Sequence, residues 1–373
     1  MLKKYTKRII AFAMSLITPM IMHGCSKKDS ETQTDQLPNQ TYIYNEGEHL
    51  LASVDKTENW ILGKDGKYGL LAPDGYKIKD YDYDYYCLHD FDSFVFENDV
   101  KIMTSNPNNI GNPLEAEEKN SNIYMPGEHV IADVKKDIDY PWGIDGTLTL
   151  TAPDGYEILD YDYDKGEIMY WLTTTYVNSS DVVVNDINDY GVPIDKIYKN
   201  EKDYYDIGEH KIVKIIRGYD GFLGKTGFRK VDIPSGYKVV DYDYDYNNDD
   251  DNIYEFETIV FTNTVPVTKN GNDFGIPLEN ILTSTTSNVY EPGDHIVVYI
   301  ERLPEFIPFT GTKLMTCPDG YDLLDYDYDK TFGLSFNVYV YVNNTRVEAQ
   351  NPIEFGVPVI TRTYKNNWQI SVK

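Results

Sequence analysis

Apolar and polar residues alternate along several short segments of this chain, and this spacing predicts β-strands. Val, Thr, Tyr and Phe recur at every second position in residues 43–54, 147–151, 176–184 and 335–342. No longer window combines helical spacing with capping residues. Between the alternating segments, Pro-Asp-Gly or Pro-Ser-Gly supplies turn chemistry, because Pro presets φ and Gly accepts a positive φ. The pattern therefore predicts an all-β protein.

The chain repeats itself with a period of about 80 residues. A Gly-acid-His triplet starts at Gly47, Gly127, Gly208 and Gly293, and a Tyr stands three residues before each of these glycines. The string Asp-Tyr-Asp-Tyr-Asp starts at Asp80, Asp160, Asp241 and Asp325. An aromatic-x-Asn triplet ends at Asn98, Asn178, Asn263 and Asn343, and a Gly-x-Pro triplet starts at Gly111, Gly191, Gly275 and Gly356. Landmarks in this fixed order indicate internal duplication, with repeats at residues 41–114, 122–194, 204–278 and 288–359.

Each repeat is long enough to form a small hydrophobic core of its own. A period near 80 exceeds the roughly 20 to 50 residues of solenoid repeats. About six short strands with turns every 8 to 12 residues are typical of an antiparallel sandwich. We therefore expect four tandem small antiparallel β-sandwich repeats of immunoglobulin-like size, each a self-sufficient folding unit, followed by a C-terminal tail at residues 360–373.

The Asp-Tyr string needs a change of face to bury its tyrosines. Successive side chains of a strand point to opposite faces, so Tyr156 and Ile158 share a face with Asp160 in a regular strand. A bulge or a twist farther along the strand would let Tyr156, Ile158 and the following tyrosines all enter the core. In one interpretation, the Asp row then faces solvent and discourages edge pairing.

In the other interpretation, the Asp rows bind calcium. Hard cations favour clustered carboxylates, and Asp-x-Asp-x-Asp begins many oxygen cages. Same-face residues of a strand lie about 6.7 Å apart, so one ion reaches two carboxylates of a string only with help from a neighbouring segment. The positions that an EF-hand loop fills with Gly and Glu carry other residues. The predicted ligands for weak calcium binding are Asp80, Asp82, Asp84, Asp160, Asp162, Asp164, Asp241, Asp243, Asp245, Asp325, Asp327 and Asp329.

The recurrent histidines at positions 49, 129, 210 and 295 have two interpretations as well. A His beside a carboxylate can be a metal ligand or a general base. Alternatively, Gly-acid-His marks a turn into a strand, with the imidazole packed against the Tyr three residues before the Gly. Zinc has little support, because each repeat has this one recurrent His and no recurrent Cys.

The N-terminus has the layout of a signal peptide. Lys3, Lys4, Lys7 and Arg8 precede an apolar run at residues 9–22, which is too short for a transmembrane helix. The run ends in Ile-Met-His-Gly-Cys, which resembles the lipobox of bacterial lipoproteins. The resemblance implies that residues 1–24 are removed, that Cys25 is lipidated, and that residues 25–40 form a flexible tether. It also implies a protein held on the extracytoplasmic side of a bacterial cell membrane through its N-terminal acyl chains.

The net charge, the motifs and the duplication of the chain limit the functions that it can have. Its 61 Asp and Glu residues outnumber 34 Lys and Arg residues, for a net charge of −27. This balance excludes ordinary nucleic-acid binding, since nothing neutralises the phosphates. Signatures of a nucleophile elbow, phosphate loop or zinc protease do not occur. Duplication favours binding over catalysis, because repeated modules gain from effective concentration. We expect a non-catalytic, multivalent binding module for a glycan or a protein at the cell surface; the alternative is a structural spacer with calcium-stabilised repeats.

Overall fold

The computed structural model describes residues 41–60, 62–114, 122–138, 143–166, 169–197, 204–219, 224–249, 252–269, 272–279, 288–303, 310–331 and 334–359. The described residues form antiparallel strands and contain no helix, so the predicted all-β class with small antiparallel sheets is confirmed. In this part of the chain no helix long and apolar enough for a membrane span is found. The predicted signal peptide, lipidated Cys25, tether and C-terminal tail lie outside the described residues.

Strands follow one another in a similar order in each repeat. The first repeat contains β1 (Tyr42–Tyr44), β2 (Leu50–Glu58), β3 (Gly66–Leu70), β4 (Tyr76–Tyr86), β5 (His89–Asn98), β6 (Ile102–Thr104) and β7 (Asn112–Pro113). The second contains β8 (Ile123–Tyr124), β9 (Val130–Asp137), β10 (Gly146–Leu150), β11 (Tyr156–Lys165), β12 (Tyr170–Asn178), β13 (Val182–Val183) and β14 (Val192–Pro193). The third contains β15 (Tyr204–Tyr205), β16 (Lys211–Gly218), β17 (Gly227–Arg229), β18 (Tyr237–Asp249), β19 (Asn252–Asn263), β20 (Val267–Thr268) and β21 (Ile276–Pro277). The fourth contains β22 (Val289–Tyr290), β23 (Ile296–Leu303), β24 (Gly311–Leu314), β25 (Tyr321–Thr331), β26 (Leu334–Asn343), β27 (Val347–Glu348) and β28 (Val357–Pro358).

These strands build two kinds of antiparallel sheet. Three-stranded sheets, which we call rim sheets, have the strand orders β1-β6-β7, β8-β13-β14, β15-β20-β21 and β22-β27-β28. Four-stranded sheets, which we call blades, have the orders β24-β2-β5-β4, β3-β9-β12-β11, β10-β16-β19-β18 and β17-β23-β26-β25. In the second repeat, Ile158 and Tyr176 of the blade pack with Val182 and Val184 of the rim sheet, so the two sheets share a small core.

Each blade takes its outermost strand from the preceding repeat. Strand β3 of the first repeat pairs with β9 of the second, with Lys67 opposite Asp133. Strand β24 of the last repeat pairs with β2 of the first, with Thr312 opposite Ser53, and this pairing closes the series. The described residues between positions 41 and 359 accordingly belong to one compact unit. This sharing counts against the expectation of self-sufficient repeats, because a repeat on its own would leave β2, β9, β16 or β23 without its outer partner.

The blades stack face to face in a closed ring. The second blade turns Ala132 and Trp171 toward the first blade and Tyr161 and Leu172 toward the third. The fourth blade packs Tyr326 and Tyr328 against β2 of the first. The four Asp-Tyr strands β4, β11, β18 and β25 contact one another in turn around the centre of this ring. Radial sheets with one edge at a central axis define the β-propeller architecture.

We call the Asp-Tyr strands β4, β11, β18 and β25 the inner strands. A bulge in each inner strand places its tyrosines and its carboxylates on opposite faces. The register of β11 against β12 shifts between Ile158 and Asp160, and β4, β18 and β25 shift at the same place. After the shift, Tyr81 and Tyr83 enter the same interblade core as Tyr76 and Ile78. The predicted change of face and the predicted burial of the tyrosines are therefore confirmed, and of the two predicted devices, a bulge or a twist, the strands contain the bulge. The Asp residues of each string are left to face the ring centre.

Candidate functional site

The landmarks of each repeat meet in one hydrogen-bonded group beside its rim sheet, which we call the landmark cluster. In the second repeat, the rings of Tyr124 and His129 lie 4.8 Å apart. Tyr156 Oη is 2.6 Å from His129 Nδ1 and 2.7 Å from Gly191 N. Asn178 Oδ1 accepts a hydrogen bond from the backbone N–H of His129 at 2.8 Å. Residues far apart in the repeat are thus recurrent because they hold the rim sheet to the blade.

The backbone carbonyl in this cluster determines which atoms donate hydrogen bonds and which accept them. His129 Nε2 lies 3.1 Å from the carbonyl oxygen of Ile187, so Nε2 carries the proton and donates it. Nδ1 is then an acceptor for the Tyr156 hydroxyl, which in turn accepts the Gly191 N–H. Burial lowers the pKa of His129, while the bond to the Ile187 carbonyl opposes that change. A neutral ring satisfies every one of these bonds.

The recurrent histidines are therefore packed turn residues. Each imidazole packs against the Tyr three residues before its Gly, with centroids between 4.3 and 4.8 Å; three of these pairs are stacked, and the pair of Tyr124 and His129 is tilted by 42°. In His49 and His295, as in His129, one ring nitrogen faces a Tyr hydroxyl and the other a backbone carbonyl. The packing interpretation is confirmed, and these three rings have no ring nitrogen left for a metal.

The Asp rows meet at the ring centre. All twelve side chains are buried, with the least buried at 8% exposure, so the solvent-facing interpretation is wrong. That interpretation considered one strand alone, in which nothing covers the Asp face. In the structure the other three inner strands cover it. We name three tiers by position in the string: the first tier is Asp80, Asp160, Asp241 and Asp325; the second tier is Asp82, Asp162, Asp243 and Asp327; the third tier is Asp84, Asp164, Asp245 and Asp329.

Several first-tier and third-tier carboxylates bond to the edge of the neighbouring inner strand, namely those of Asp80, Asp241, Asp325, Asp164 and Asp329. Each inner strand ends its sheet, so its outward N–H groups need acceptors that no further strand supplies. Tyr326 N donates to Asp80 Oδ2 and Tyr242 N to Asp325 Oδ2, both at 3.3 Å. In the third tier, Tyr85 N donates to Asp164 Oδ2 at 3.1 Å. These carboxylates join each blade to the next one around the ring.

Three central carboxylates lack such donors. Within the described residues, neither oxygen of the second-tier Asp82 and Asp243 or of the first-tier Asp160 has a hydrogen-bond partner. These side chains are at most 2% exposed, so bulk solvent does not reach them. A buried carboxylate without partners is costly when ionised, and it requires a proton or a cation.

Carboxylate oxygens from different blades come close enough to share an ion. One group joins Asp82, Asp243 and Asp325, with one oxygen of each lying within 4.8 Å of the others. Other groups of the same kind join these residues to the remaining first-tier side chains, and a separate group forms in the third tier from Asp84, Asp164 and Asp245. The predicted ligands therefore do lie together, although each set is assembled from several repeats and not from one string.

Burial and mutual repulsion raise the pKa of these carboxyl groups. Burial is the main cause throughout, and repulsion by neighbouring Asp residues adds to it for Asp82 and Asp243. Backbone donors oppose the rise at the edges, where the pKa reaches about 7 for Asp164 and Asp241 and about 8 for Asp329. The centre thus favours either protonated carboxyl groups or bound positive charge.

The rim sheets carry a second recurrent feature, which the sequence analysis missed. Opposed residues on the outer face of the second rim sheet are Ile123, Val183 and Val192. Val192, Ile276 and Val357 occupy the same position in their repeats and are 66%, 66% and 71% exposed, whereas the first repeat has Asn112 there. The strands concerned are only two or three residues long, so period-two alternation could not single them out.

Comparison with protein-family models, with curated proteins and with solved structures finds no match for this chain. Its function is therefore inferred from the geometry of the central carboxylates and the rim sheets.

Proposed function

We propose that the protein is a non-catalytic binding protein whose rim sheets together engage a protein partner. The observation that carries the proposal is the recurrence of exposed aliphatic side chains at one position of successive rim sheets. Isolated exposed apolar residues are ordinary, whereas an apolar set repeated on equivalent sheets is typical of an interaction surface.

The rim sheets all belong to the same end of the ring. First-tier oxygens of Asp80, Asp241 and Asp325 approach one another, and so do third-tier oxygens on β4, β11 and β18. The inner strands therefore run in the same direction along the axis. Each rim sheet is bonded to the start of its inner strand through a landmark cluster, as Tyr76 Oη is to Gly111 N at 2.8 Å. Binding positions held at fixed separations act together without the ordering cost of flexible beads.

The chemistry of this surface favours a protein over a glycan. Its large exposed apolar side chains are mainly aliphatic, and glycan sites rely on aromatic faces with polar neighbours. The net charge of −27 attracts a partner with positive charge around an apolar contact. We therefore assign the partner as a basic protein that inserts apolar side chains between the rim sheets.

A lipidated Cys25 would hold this surface outside the cytoplasm. The lipobox-like segment and the polar residues after it support an anchor and a tether on the extracytoplasmic side of a bacterial membrane. Contact with the bilayer would come through the acyl chains, because the acidic chain is repelled by anionic lipids.

Photo-crosslinking in the host tests the proposal. A benzoylphenylalanine is placed at position 192 in one variant and at position 357 in another, and the control carries it at position 60. Trp60 is 74% exposed and follows β2 at the opposite end of the ring. We expect the same crosslinked basic protein from positions 192 and 357 and not from position 60.

A matched substitution completes the test. Val192→Asn together with Val357→Asn copies the residue that the first repeat already has at Asn112, so the fold should persist. We expect this variant to bind the captured partner at least about tenfold more weakly, in line with the loss of two apolar contacts. Equal crosslinking from position 60, unchanged affinity, or capture of a polysaccharide alone would overturn the proposal.

A further inference from the structure

We propose that the ring centre binds a divalent cation of the calcium type through Asp82 and Asp243, with first-tier carboxylates completing the oxygen ligands. The site is independent of the rim sheets and of any partner. Its ligands come from three or more repeats, so an ion held there would join the blades directly.

The unpartnered oxygens distinguish this site from an ordinary acidic cluster. Asp82 and Asp243 are 2% and 0% exposed, and their four carboxylate oxygens have no hydrogen-bond partner among the described residues. Each residue also presents an oxygen to first-tier carboxylates, Asp82 to Asp80 and Asp160, and Asp243 to Asp160 and Asp241. Donor-free oxygens aimed at one another from opposite strands are the arrangement that a cation stabilises.

The backbone donors help to select this part of the cluster. Asp80, Asp241 and Asp325 each accept a neighbouring Tyr N–H with one oxygen, and the other oxygen is available at the centre. Their side chains are thereby held in place before any ion arrives, which reduces the ordering cost of binding. Asp82 and Asp243 make no such bond, and neither does the first-tier Asp160, which approaches both of them. Asp82 and Asp243 are therefore the principal ligands, with Asp160 beside them.

The ligand set suits calcium better than magnesium. These groups consist of carboxylates alone, and calcium accepts about six to eight oxygen ligands, mostly from the protein, in flexible geometry. Magnesium prefers about 2.1 Å, strict octahedral geometry and several retained waters. The absence of nitrogen and sulfur ligands in these groups also argues against zinc.

Metal content and calcium titration of the mature chain test this site. Protein dialysed against calcium and passed through a desalting column is analysed by mass spectrometry for metals. Calorimetric titration then follows calcium added to protein stripped with EDTA. We expect at least one retained calcium per chain and a higher unfolding temperature in calcium than in EDTA, with a smaller effect of magnesium.

Paired Asn substitutions provide the matched control. Asp82→Asn with Asp243→Asn keeps the side-chain shape, and each amide can donate to neighbouring carboxylates, so folding without the ion should improve. We expect at least a tenfold loss of calcium affinity and no calcium-dependent rise in unfolding temperature. Asp74→Asn with Asp319→Asn makes the same charge change at two exposed turn positions, and its affinity should stay within twofold of the parent.

A third measurement keeps the test decisive if the Asp82 and Asp243 variant does not fold. Terbium replaces calcium in oxygen sites, and the neighbouring buried tyrosines Tyr81 and Tyr242 would sensitise its luminescence in the unmodified chain. We expect a sensitised signal that calcium displaces. Absence of both this signal and retained calcium, or equal weakening by the two pairs of substitutions, would overturn the proposal and show that protons alone neutralise the centre.

Discussion

Removing a single hydroxyl from a landmark cluster should destabilise the whole ring. Tyr156→Phe removes the group that lies 2.6 Å from His129 Nδ1 and 2.7 Å from Gly191 N, and Gly191 is buried. The Gly191 N–H then has no acceptor, and a buried unsatisfied donor costs about 1–3 kcal/mol. Nδ1 of the neutral His129 loses its donor as well. We expect the free energy of unfolding to fall by about 2–4 kcal/mol in total.

Urea denaturation followed by tryptophan fluorescence measures this change. Trp171 lies in the core between the first and second blades and reports on their separation. The transition midpoint should fall without a change in slope if the ring still unfolds as one unit. Tyr219→Phe removes the same hydroxyl at a side chain that is 71% exposed and should change stability by less than about 0.5 kcal/mol. Equal effects of the two substitutions would refute the assignment of the landmark cluster.

Two further predictions concern protonation. Nitrogen-detected NMR should find the side chains of His49, His129 and His295 neutral, protonated at Nε2, and titrating below the ordinary histidine pKa, because burial lowers their pKa; titration at the ordinary value would contradict the tautomer assignment. Thermal unfolding in EDTA should shift to lower temperature between pH 5 and pH 8. The folded-state pKa of the central carboxyl groups is raised above the unfolded value, to about 7 for Asp164 and Asp241 and about 8 for Asp329, so their stabilising effect is complete below the unfolded pKa and is lost as the pH rises through these values. A constant unfolding temperature across this range would mean that the carboxylates are solvated in solution.

Local features of the fold could be read from the sequence, because they depend on neighbours in the chain. The alternation required a bulge or a twist if Tyr161 and Tyr163 were to be buried together with Ile158, and the structure has a register shift between Ile158 and Asp160. The glycine of each Pro-x-Gly turn has a positive φ, as in Gly155 at 81°. The interpretation of the Gly-acid-His triplet as a packed turn depended on a Tyr only five residues away, and it was confirmed as well.

Long-range features could not be read in the same way. Gly66–Leu70 has the same alternation whether it pairs within its own repeat or with β9 of the next one, so the exchange of strands left no signature. The burial of the Asp rows depends on that exchange, since it closes the ring that brings four strands together. The polar face of a strand normally predicts exposure to solvent, whereas here the polar face of each inner strand lies at the axis of the ring.

A disulfide test at the closing strand addresses the central claim, that the repeats share their sheets in a closed ring. Cys25, Cys87 and Cys317 are first replaced by Ser, and Ser53→Cys is combined with either Thr312→Cys or Lys67→Cys. Ser53 lies opposite Thr312 in the ring, whereas Lys67 is the corresponding residue of the first repeat's own β3. Opposed residues of antiparallel strands are close enough for a disulfide, about 4.5–5.5 Å between Cα atoms.

Mass spectrometry of the oxidised, non-reduced protein gives the answer. The closed ring predicts a spontaneous disulfide between positions 53 and 312 and none between positions 53 and 67. A disulfide between positions 53 and 67 alone would show that each repeat completes its own sheet, and it would contradict both the ring and the shared carboxylate centre.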